Sequence, residues 1–508
     1  MRKTQCLIML AAMTVGSALL AQESSAPLNP NAPRSALEAG RDYGAVTTKQ
    51  YDDGSVYVGT FVSGKQEGKG TYTLPNGFEY SGEWVGGEIK GLGRARYPNG
   101  SVYEGEFTKG LPNGRGKITF ADGGSYEGKW QSGKRTGEGV ARYANGAVYT
   151  GTFKDGLQDG QGVIVDASGY RYDGAWVLGE KQGLGKITYA DGTMFEGSLV
   201  NGAREGKGTL TMPNGLIYVG AWRAGQINGL GKLTQPNGDV YVGDFVEGLR
   251  EGKGTLTYAN GDIFKGAFKA DKREGTGKFT AKDGTIYDGD WVGGKMQGQG
   301  TMTYPDGSVY VGSFKADQPD GQGKITYADG TGYEGAWRAG AITGTGKATY
   351  PNGTAYEGAF VSARPEGTGT MTYPDGFVYQ GSWKAGKREG EGFATWPDGT
   401  TYRGGFKADL REGQGTLVQP DGFTYTGAWM AGQISGIGRA YYPNGDSYEG
   451  SFLAGKRDGA GKLTYAKNKD VSEGMWKAGV MVGPLPPVPE TPAAPAPEGD
   501  AAAPPTTP

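Results

Sequence analysis

The chain has 508 residues, of which 98 are glycine, and its formal net charge is −2. A near-neutral surface offers no electrostatic footprint for nucleic acid and little attraction to anionic lipid. The sequence contains no histidine and one cysteine, Cys6, which excludes histidine-dependent triads, histidine metal sites and disulfides in the body of the chain.

The first segment, residues 1–21, is typical of a secretory signal peptide. Arg2 and Lys3 precede an apolar run that begins at Cys6, and small residues follow up to Ala21. We therefore expect cleavage after Ala21 and export to the periplasm or the extracellular space. The alternative is an uncleaved N-terminal anchor, although the apolar run is short for a membrane span.

Two further segments lack any period. Residues 22–44 are rich in Ser, Pro, Ala and Asn, and we expect a flexible linker there. Residues 484–508 are rich in Pro, Ala and Thr, a composition that cannot form a packed core, and we predict a disordered tail. Between these segments, residues 45–483 carry a single pattern.

This pattern is a repeat of 23 residues. The first copy reads Tyr-Val-Gly-Thr-Phe from residue 57, Gly-Lys-Gly-Thr-Tyr from residue 68 and Asn-Gly from residue 76. The tyrosine, which we number position 1, returns as Tyr or Phe every 23 residues up to Tyr448, giving eighteen copies without an insertion. A weaker nineteenth copy is slipped by one residue, so that Ser472 takes position 1. A fixed period of this length indicates a repeat architecture, in which one copy cannot bury its face alone.

Each copy contains two segments of alternating character separated by a polar turn. Successive copies are joined by Asn-Gly or Asp-Gly, pairs that accept positive φ at both residues and favour tight hairpins. Two strands of about five residues in each copy leave no room for a helix. The sequence therefore predicts an all-β chain: an elongated, single-layer antiparallel sheet of tandem β-hairpins, with about 38 strands.

One face of this sheet should carry aromatic rings and glycines, and the other face Thr, Lys, Arg, Glu and Ser. We expect each ring to lie across the glycines of its neighbours, because glycine leaves room there. The sequence supplies no second layer over the rings, and a large uncovered apolar face indicates an interaction site. The candidate binding face consists of Trp84, Trp130, Trp176, Trp222, Trp291, Trp337, Trp383, Trp429, Tyr103, Tyr126, Tyr310 and Tyr356.

Phe and Trp alternate at position 5 of the repeat, as in Phe61, Trp84 and Phe107. Nine of the ten tryptophans occupy this position, and Trp396 is the other one. The alternation favours packing of large against smaller rings along the sheet. A second interpretation is a ligand site that recurs every second hairpin.

The pattern Y-x-G-x-[FW]-x-x-G-x-x-x-G-x-G-x-x-x-[YF]-[PA]-[ND]-G, as in residues 103–123, resembles the MORN (membrane occupation and recognition nexus) repeat. The resemblance covers most of the chain and implies an elongated array of β-hairpins in a single sheet. It also implies scaffolding, self-association or attachment to lipid. Some members of that family add lipid kinase or methyltransferase domains, for which no residues remain here. Departures are local: Asp271, Ala363 and Asp409 replace the glycine at position 8.

No catalytic motif is visible in the sequence. Gly-x-Gly recurs with the repeat and lacks the lysine of a phosphate loop, and the Asp-rich turns lack the ligand spacing of a calcium loop. We therefore expect no enzyme activity, metal, cofactor, nucleic-acid partner or small-molecule substrate.

The expected function is an exported, non-enzymatic scaffold that binds protein, or itself, through the aromatic face. The alternative is a cell-envelope attachment module that binds phospholipid or glycan. Aromatic, glycine-rich cell-wall-binding hairpins are the nearest rival family, but they have a shorter period and lack the paired Gly-x-Gly.

Overall fold

In the computed structural model, residues 44–487 are all-β without a helix, and their 39 strands belong to one antiparallel sheet. The chain divides into two units, one up to Gly225 and the other from Gln226 onward. The predicted leader, the linker up to residue 43 and the tail from residue 488 lie outside the described residues. The prediction of an all-β chain of tandem 23-residue hairpins is confirmed.

The strands of the N-terminal unit are β1 Thr47–Gln50, β2 Val56–Val62, β3 Lys65–Thr73, β4 Glu79–Val85, β5 Glu88–Arg96, β6 Val102–Thr108, β7 Leu111–Thr119, β8 Ser125–Gln131, β9 Lys134–Arg142, β10 Val148–Lys154, β11 Leu157–Val165, β12 Arg171–Val177, β13 Glu180–Thr188, β14 Met194–Val200, β15 Ala203–Thr211 and β16 Ile217–Arg223.

The strands of the C-terminal unit are β17 Gln226–Thr234, β18 Val240–Val246, β19 Leu249–Thr257, β20 Ile263–Lys269, β21 Lys272–Thr280, β22 Ile286–Val292, β23 Lys295–Thr303, β24 Val309–Lys315, β25 Gln318–Thr326, β26 Gly332–Arg338, β27 Ala341–Thr349, β28 Ala355–Val361, β29 Arg364–Thr372, β30 Val378–Lys384, β31 Lys387–Thr395, β32 Thr401–Lys407, β33 Leu410–Val418, β34 Thr424–Met430, β35 Gln433–Tyr441, β36 Ser447–Leu453, β37 Lys456–Thr464, β38 Val471–Lys477 and β39 Val480–Gly483.

Within each unit, consecutive strands pair antiparallel, as β5 does with β4 and β6, or β25 with β24 and β26. First strands of a repeat have 7 residues and second strands have 9, for example β24 and β25. The expected length of about five residues is therefore wrong, because the strands continue through the polar positions on both sides of the alternating core up to the turns.

A β-bulge interrupts each complete hairpin between positions 3 and 5. In the hairpin of β24 and β25, Gly312 pairs with Gly323 and Phe314 pairs with Pro319, so one residue of β24 opposes three of β25. Gly321, at position 12 in the bulge, has a φ of 105°. This left-handed region suits glycine, which explains the strict recurrence of glycine at position 12.

The two turns of each repeat differ from the predicted assignment. At the polar turn, positions 7 and 8 both have positive φ, as in Ala339 at 48° and Gly340 at 80°, which is the type I′ pattern. In the Asp-Gly turn at residues 306 and 307, only Gly307 has positive φ. The Asp306 Oδ1 atom instead accepts the N–H of Ser308 at 2.8 Å. The expectation of positive φ at both residues of these pairs is therefore wrong, because the side chain itself caps the turn.

The glycines at positions 3 and 14 make room for the ring at position 1 of the same hairpin. Gly358 pairs with Gly369, and a Cβ atom on Gly369 would lie 2.2 Å from the Tyr356 hydroxyl oxygen. On Gly358 a Cβ atom would lie 2.5 Å from the Cα of Gly369. The rings at position 1 therefore cross the glycines of their own hairpin. The rings at position 5 approach glycines of the preceding hairpin, as expected, since a Cβ atom on Gly208 would lie 3.3 Å from the Cδ1 atom of Trp222.

Consecutive repeats are linked at their polar turns by side chains, most of which point toward the next repeat. Asp271 and Asp409 point the other way, to the backbone N–H groups of Arg250 and Arg388. The carboxylate of Glu412, at position 11, accepts the backbone N–H of Ala431, at position 7 of the next repeat, at 2.8 Å. At position 10, Arg411 donates to the carbonyl of Gly432 at 2.9 Å. Glu366 holds the N–H of Ala385 in the same way at 2.7 Å. These forward links supply acceptors and donors to turn groups that the hairpin itself leaves unpaired.

We predict that Gly369→Ala destabilises its hairpin by about 1–3 kcal/mol, because the added methyl group overlaps the Tyr356 ring. The matched control is Gly340→Ala, which has no atom within 4 Å of the added Cβ and lies at a turn position where Ala363 adopts a φ of 61°. Amide hydrogen exchange of the surrounding strands measures the local opening free energy. Equal effects of the two substitutions would contradict the packing role of the glycine.

Candidate functional site

The twelve residues of the predicted binding face are buried, each in the core of its own part of the sheet. The eight tryptophans are at most 8% exposed and the four tyrosines 0%. Neighbouring rings cover each other within the single sheet of residues 44–487, so no second layer is needed. The expectation of an uncovered aromatic face is therefore wrong. The residues concerned are Trp84, Trp130, Trp176, Trp222, Trp291, Trp337, Trp383, Trp429, Tyr103, Tyr126, Tyr310 and Tyr356.

The rings at position 1 contact the rings at position 5 of their own repeat and of the next, except where Leu199 takes the place of a position-5 ring. The Tyr310 ring centroid lies 5.1 Å from that of Phe314 and 5.0 Å from that of Trp337, with interplanar angles of 90° and 78°. Such edge-to-face pairs contribute about 0.5–1.5 kcal/mol each beyond area burial. Phe and Trp take equivalent places in this series, which favours packing as the reason for their alternation.

The polar atoms of the buried rings are already bonded. The indole N–H of Trp337 donates to the carbonyl of Gly323 at 3.2 Å, and the hydroxyl of Tyr310 donates to the carbonyl of Ser313 at 2.9 Å. Ser313, at position 4, lacks a ladder partner within its hairpin because of the bulge. Equivalent indole bonds occur at Trp84, Trp130, Trp176, Trp222, Trp291, Trp383, Trp429 and Trp476.

Arginines at position 10 cover the rings, and the sequence analysis missed this role. The guanidinium carbon of Arg411 lies 4.1 Å from the Trp429 ring centroid and 5.6 Å from that of Tyr402. Arg273 stands in the same way 4.1 Å from Trp291. Such cation–π contacts are favourable where the cation is partly desolvated. The available signal was the recurrence of Arg at position 10.

Three half-buried rings meet at the edge formed by the Asp-Gly turns, and we name them the turn-edge ring cluster: Tyr373, Phe377 and Trp396. The Phe377 ring centroid lies 5.4 Å from that of Tyr373 and 5.1 Å from that of Trp396. The guanidinium carbon of Arg388 stands 5.9 Å from the Phe377 centroid. The sequence signal was Trp396 itself, since it is the tryptophan that departs from position 5.

The face opposite the rings, which we name the outer face, carries alternating charges. In some repeats a basic residue at position 15 lies between two acidic residues at position 2, as Lys117 does between Glu104 and Glu127. The Nε atom of Arg94 lies 3.1 Å from the Glu104 Oε1 atom, with both side chains at least half exposed. Exposed pairs of this kind contribute little stability.

Residues 44–487 show no arrangement of chemical groups that indicates catalysis. They contain no group of three or more acidic, Cys or His side chains placed to hold a metal ion. The best-defined depressions are shallow, one lined by Glu106, Arg115 and Trp130, and another by Tyr442 and Arg457. No helix in this part of the chain is long and apolar enough to cross a bilayer.

Comparison with protein families finds matches to one model, described as MORN repeat. The matched segments are residues 57–78, 80–102, 103–125, 126–148, 149–169, 172–194, 195–217, 218–240, 241–263, 264–286, 287–309, 310–332, 333–355, 356–378, 379–401, 402–424, 425–447 and 448–469. The chain belongs to the MORN-repeat family. The resemblance seen in the sequence is thereby confirmed, and the MORN array is a repeat scaffold of the kind used for interaction.

Comparison of the MORN array with curated proteins gives no match. Among solved structures, it is similar to the SAS-4 (dCPAP) TCP domain of Drosophila melanogaster, in complex with a proline-rich motif of Ana2, at 17% identity over 40% of this chain and 90% of that chain, with a TM-score of 0.20. The TCP10 domain of Danio rerio CPAP has 16% identity over 53% and 99%, with a TM-score of 0.14. A streptogramin B lyase has 14% identity over 58% and 91%, with a TM-score of 0.11. Likenesses this weak carry no functional argument.

We predict that the MORN array loses stability as pH rises from about 10 to about 12, because its buried tyrosines have higher pKa values in the folded chain than in the unfolded chain. Free tyrosine has a pKa of about 10. Burial raises the pKa of Tyr310 and of Tyr356 to about 12, and many other position-1 tyrosines are raised in the same direction. Their stabilising contribution is complete below the unfolded pKa and is lost as pH rises through the folded pKa. Tyrosinate absorbance and circular dichroism measure the transition. Gradual titration near pH 10 with unchanged ellipticity would contradict this burial.

We further predict that iodide quenches mainly the fluorescence of Trp396 in the native MORN array. The nine tryptophans at position 5 are at most 8% exposed, whereas Trp396 is half-buried. Trp396→Phe should therefore remove most of the quenchable emission, while all tryptophans respond in denaturant. Quenching of the Trp396→Phe variant as strong as that of the parent chain would show that the position-5 rings are exposed.

Proposed function

We propose that this MORN-repeat protein is an exported, non-enzymatic scaffold that binds a protein partner through the turn-edge ring cluster of Tyr373, Phe377 and Trp396. The supporting observation is that these three rings contact one another while half exposed, on a sheet whose regular rings are buried. Aromatic residues and arginine dominate the binding energy of protein interfaces. Export rests on the leader sequence of residues 1–21.

The sheet holds the cluster in a fixed place, which favours binding. Tyr373 and Trp396 each begin a turn, and their backbone N–H groups donate to the carbonyls of Phe377 and Thr400 at 2.9 Å. The Asp375 side chain accepts the N–H of Phe377 at 2.9 Å. Rings presented by such turns lose little conformational entropy on binding, because the surrounding hydrogen bonds already fix the backbone.

The tilt of the rings favours a protein partner over the alternative of phospholipid or glycan. The Phe377 ring is inclined by 42° to Tyr373 and by 49° to Trp396, so the three rings form an uneven surface and not a flat stacking platform. Such a surface suits the side chains of a protein better than a sugar ring. The net charge of −2 also provides no general attraction to anionic lipid.

We predict that Phe377→Ala combined with Trp396→Ala reduces capture of the partner, with affinity at least about 30-fold lower, as for interface hot spots that contribute 2 kcal/mol or more. Cross-linking pull-down from envelope extracts, with the purified protein as bait, measures the capture. The matched control is Tyr304→Ala, which removes a half-buried ring from the same repeat position outside the cluster.

Equal capture by the double variant and the control would contradict the assignment of the site. Pelleting of the parent protein with pure lipid vesicles or with cell-wall sacculi, abolished by the same double substitution, would favour the attachment function instead. Far-ultraviolet circular dichroism of each variant should match that of the parent, since the substituted rings lie at the edge of the sheet.

A further inference from the structure

The first and last strands of the sheet, β1 and β39, are short, and each corresponds to a different part of the second strand of a repeat. A complete second strand spans positions 9 to 17 of the repeat, as β25 does. The pairing of Thr47 with Gly59 places β1 at positions 14 to 17 only. The pairing of Lys477 with Val480 places β39 at positions 9 to 12 only. Together the two short strands supply every position of a second strand except position 13.

The hairpin of β38 and β39 is therefore paired from its turn up to Met475 and Gly483, and the described residues show no strand pairing on this edge of β38 beyond them. In a complete hairpin the first strand also pairs with positions 14 to 17, as Gly312 does with Gly323 and Tyr310 with Ile325. The chain after β39 does not continue the strand up to residue 487. Residues 484, 486 and 487 are prolines at positions 13, 15 and 16, and proline has no N–H to donate to a ladder.

We propose that copies of this protein join end to end, with β1 of one copy pairing with β38 of another so that β39 and β1 form one split second strand. In the register of the other hairpins, Thr47 lies opposite Gly474 and Lys49 opposite Ser472 of the other copy. This contact lies at the ends of the sheet and is separate from the turn-edge ring cluster, so it goes beyond the proposed function.

Two departures from the repeat match each other across this contact. Position 14 is glycine in all eighteen regular copies, because the ring at position 1 lies where a side chain would be. In β1 this position is Thr47, which carries a side chain. The one copy without a ring at position 1 is the last, where Ser472 stands. In that copy the Met481 methyl group takes part of the ring's place, since a Cβ atom on Gly474 would lie 2.5 Å from it. The end-to-end contact places the side chain of Thr47 there and displaces Met481.

Apolar groups at the two ends also match. Phe61 is the position-5 ring that remains half-exposed, whereas the others are at most 8% exposed. In other repeats the side chain at position 10 covers the position-5 ring of the following repeat, as Arg411 covers Trp429 at 4.1 Å. Met481 occupies position 10 in β39 and is 40% exposed, and once Thr47 displaces its methyl group from Gly474 it would cover Phe61 of the other copy. Exposed apolar strand edges are templates for such pairing.

The contact is heterologous, because it joins different ends of two identical chains. Each added copy presents the same two end strands again, so the assembly lengthens as concentration rises. The backbone bond that links repeats would also form: Gly340 N–H donates to the carbonyl of Pro319 at 2.8 Å, and Gly64 would donate to Met481 of the other copy in the same way.

Disulfide trapping tests the register directly. In a Cys6→Ala background the chain has no other thiol. A mixture of Lys49→Cys and Ser472→Cys chains should form disulfide-linked heterodimers under mild oxidation, because directly opposite residues have Cα atoms about 4.5–5.5 Å apart, within disulfide range. The matched control mixes Thr47→Cys with Ser472→Cys, two residues out of register, and should give several-fold less. Equal yields, or dimers from either single variant alone, would overturn the proposal.

An exchange of the two departures tests the side-chain fit without a covalent bond. Ser472→Tyr restores the regular ring, which would overlap Thr47 of the other copy, and should abolish the rise of mass with concentration seen by light scattering. Ser472→Tyr combined with Thr47→Gly recreates the regular glycine and ring. This double variant should therefore show the rise of mass with concentration again. A parent chain that stays monomeric at all concentrations, or failure of the double variant to associate while the parent does, would overturn the proposal.

The two proposals fail separately. Phe377→Ala with Trp396→Ala should leave the disulfide trapping unchanged, because these residues lie far along the chain from both end strands. Loss of trapping in that variant, with its circular dichroism unchanged, would count against separate sites. Capture of a partner by a chain that shows no trapping would support the ring cluster and overturn the end-to-end contact.

Discussion

The close approach of a tyrosine ring to two paired glycines is the contact on which the structure depends. At Tyr356 the ring lies where side chains on Gly358 and Gly369 would otherwise stand, and its hydroxyl donates to the carbonyl that the bulge leaves unpaired. The ring then contacts Phe360 in its own repeat and Trp383 in the next, at 4.9 and 5.3 Å. One sheet thereby buries its own apolar face, because the glycines let the rings lie flat against the backbone.

Period and residue type were sufficient to predict the class of fold. Glycine at fixed positions, alternating rings and Asn-Gly or Asp-Gly junctions indicate tandem hairpins, and the number of strands follows from the number of copies. Which rings of the sheet are exposed to solvent could not be predicted in the same way. The bulge at Gly312 and Phe314 is an offset between two strands, and neither strand shows it alone. The sequence analysis therefore expected the rings of Tyr310 and Trp337 to form an open row, whereas both are buried.

The turns show the same limit of sequence reasoning. Asp306 and Gly307 form a strong hairpin signal, but the Asp side chain takes over a backbone role that the sequence pattern assigned to positive φ. The type I′ geometry belongs instead to positions such as Ala339, where a residue with a side chain tolerates a left-handed conformation. Likewise, Tyr373 and Phe377 are ordinary turn-flanking residues in the sequence, where only Trp396 stands out because it departs from position 5. The contacts of Phe377 with both other rings were needed to show the cluster.

The forward links between repeats give the molecule a direction of assembly. Glu412 offers its carboxylate to the turn that begins at Ala431, and Arg411 offers a donor to Gly432 in that turn, so each hairpin is completed by groups that precede it in the chain. A polypeptide that emerges N-terminus first, from a ribosome or through a secretion channel, therefore meets a folded template at every step. Growth by one hairpin at a time keeps the nascent rings covered and limits the exposed length of chain to about one repeat.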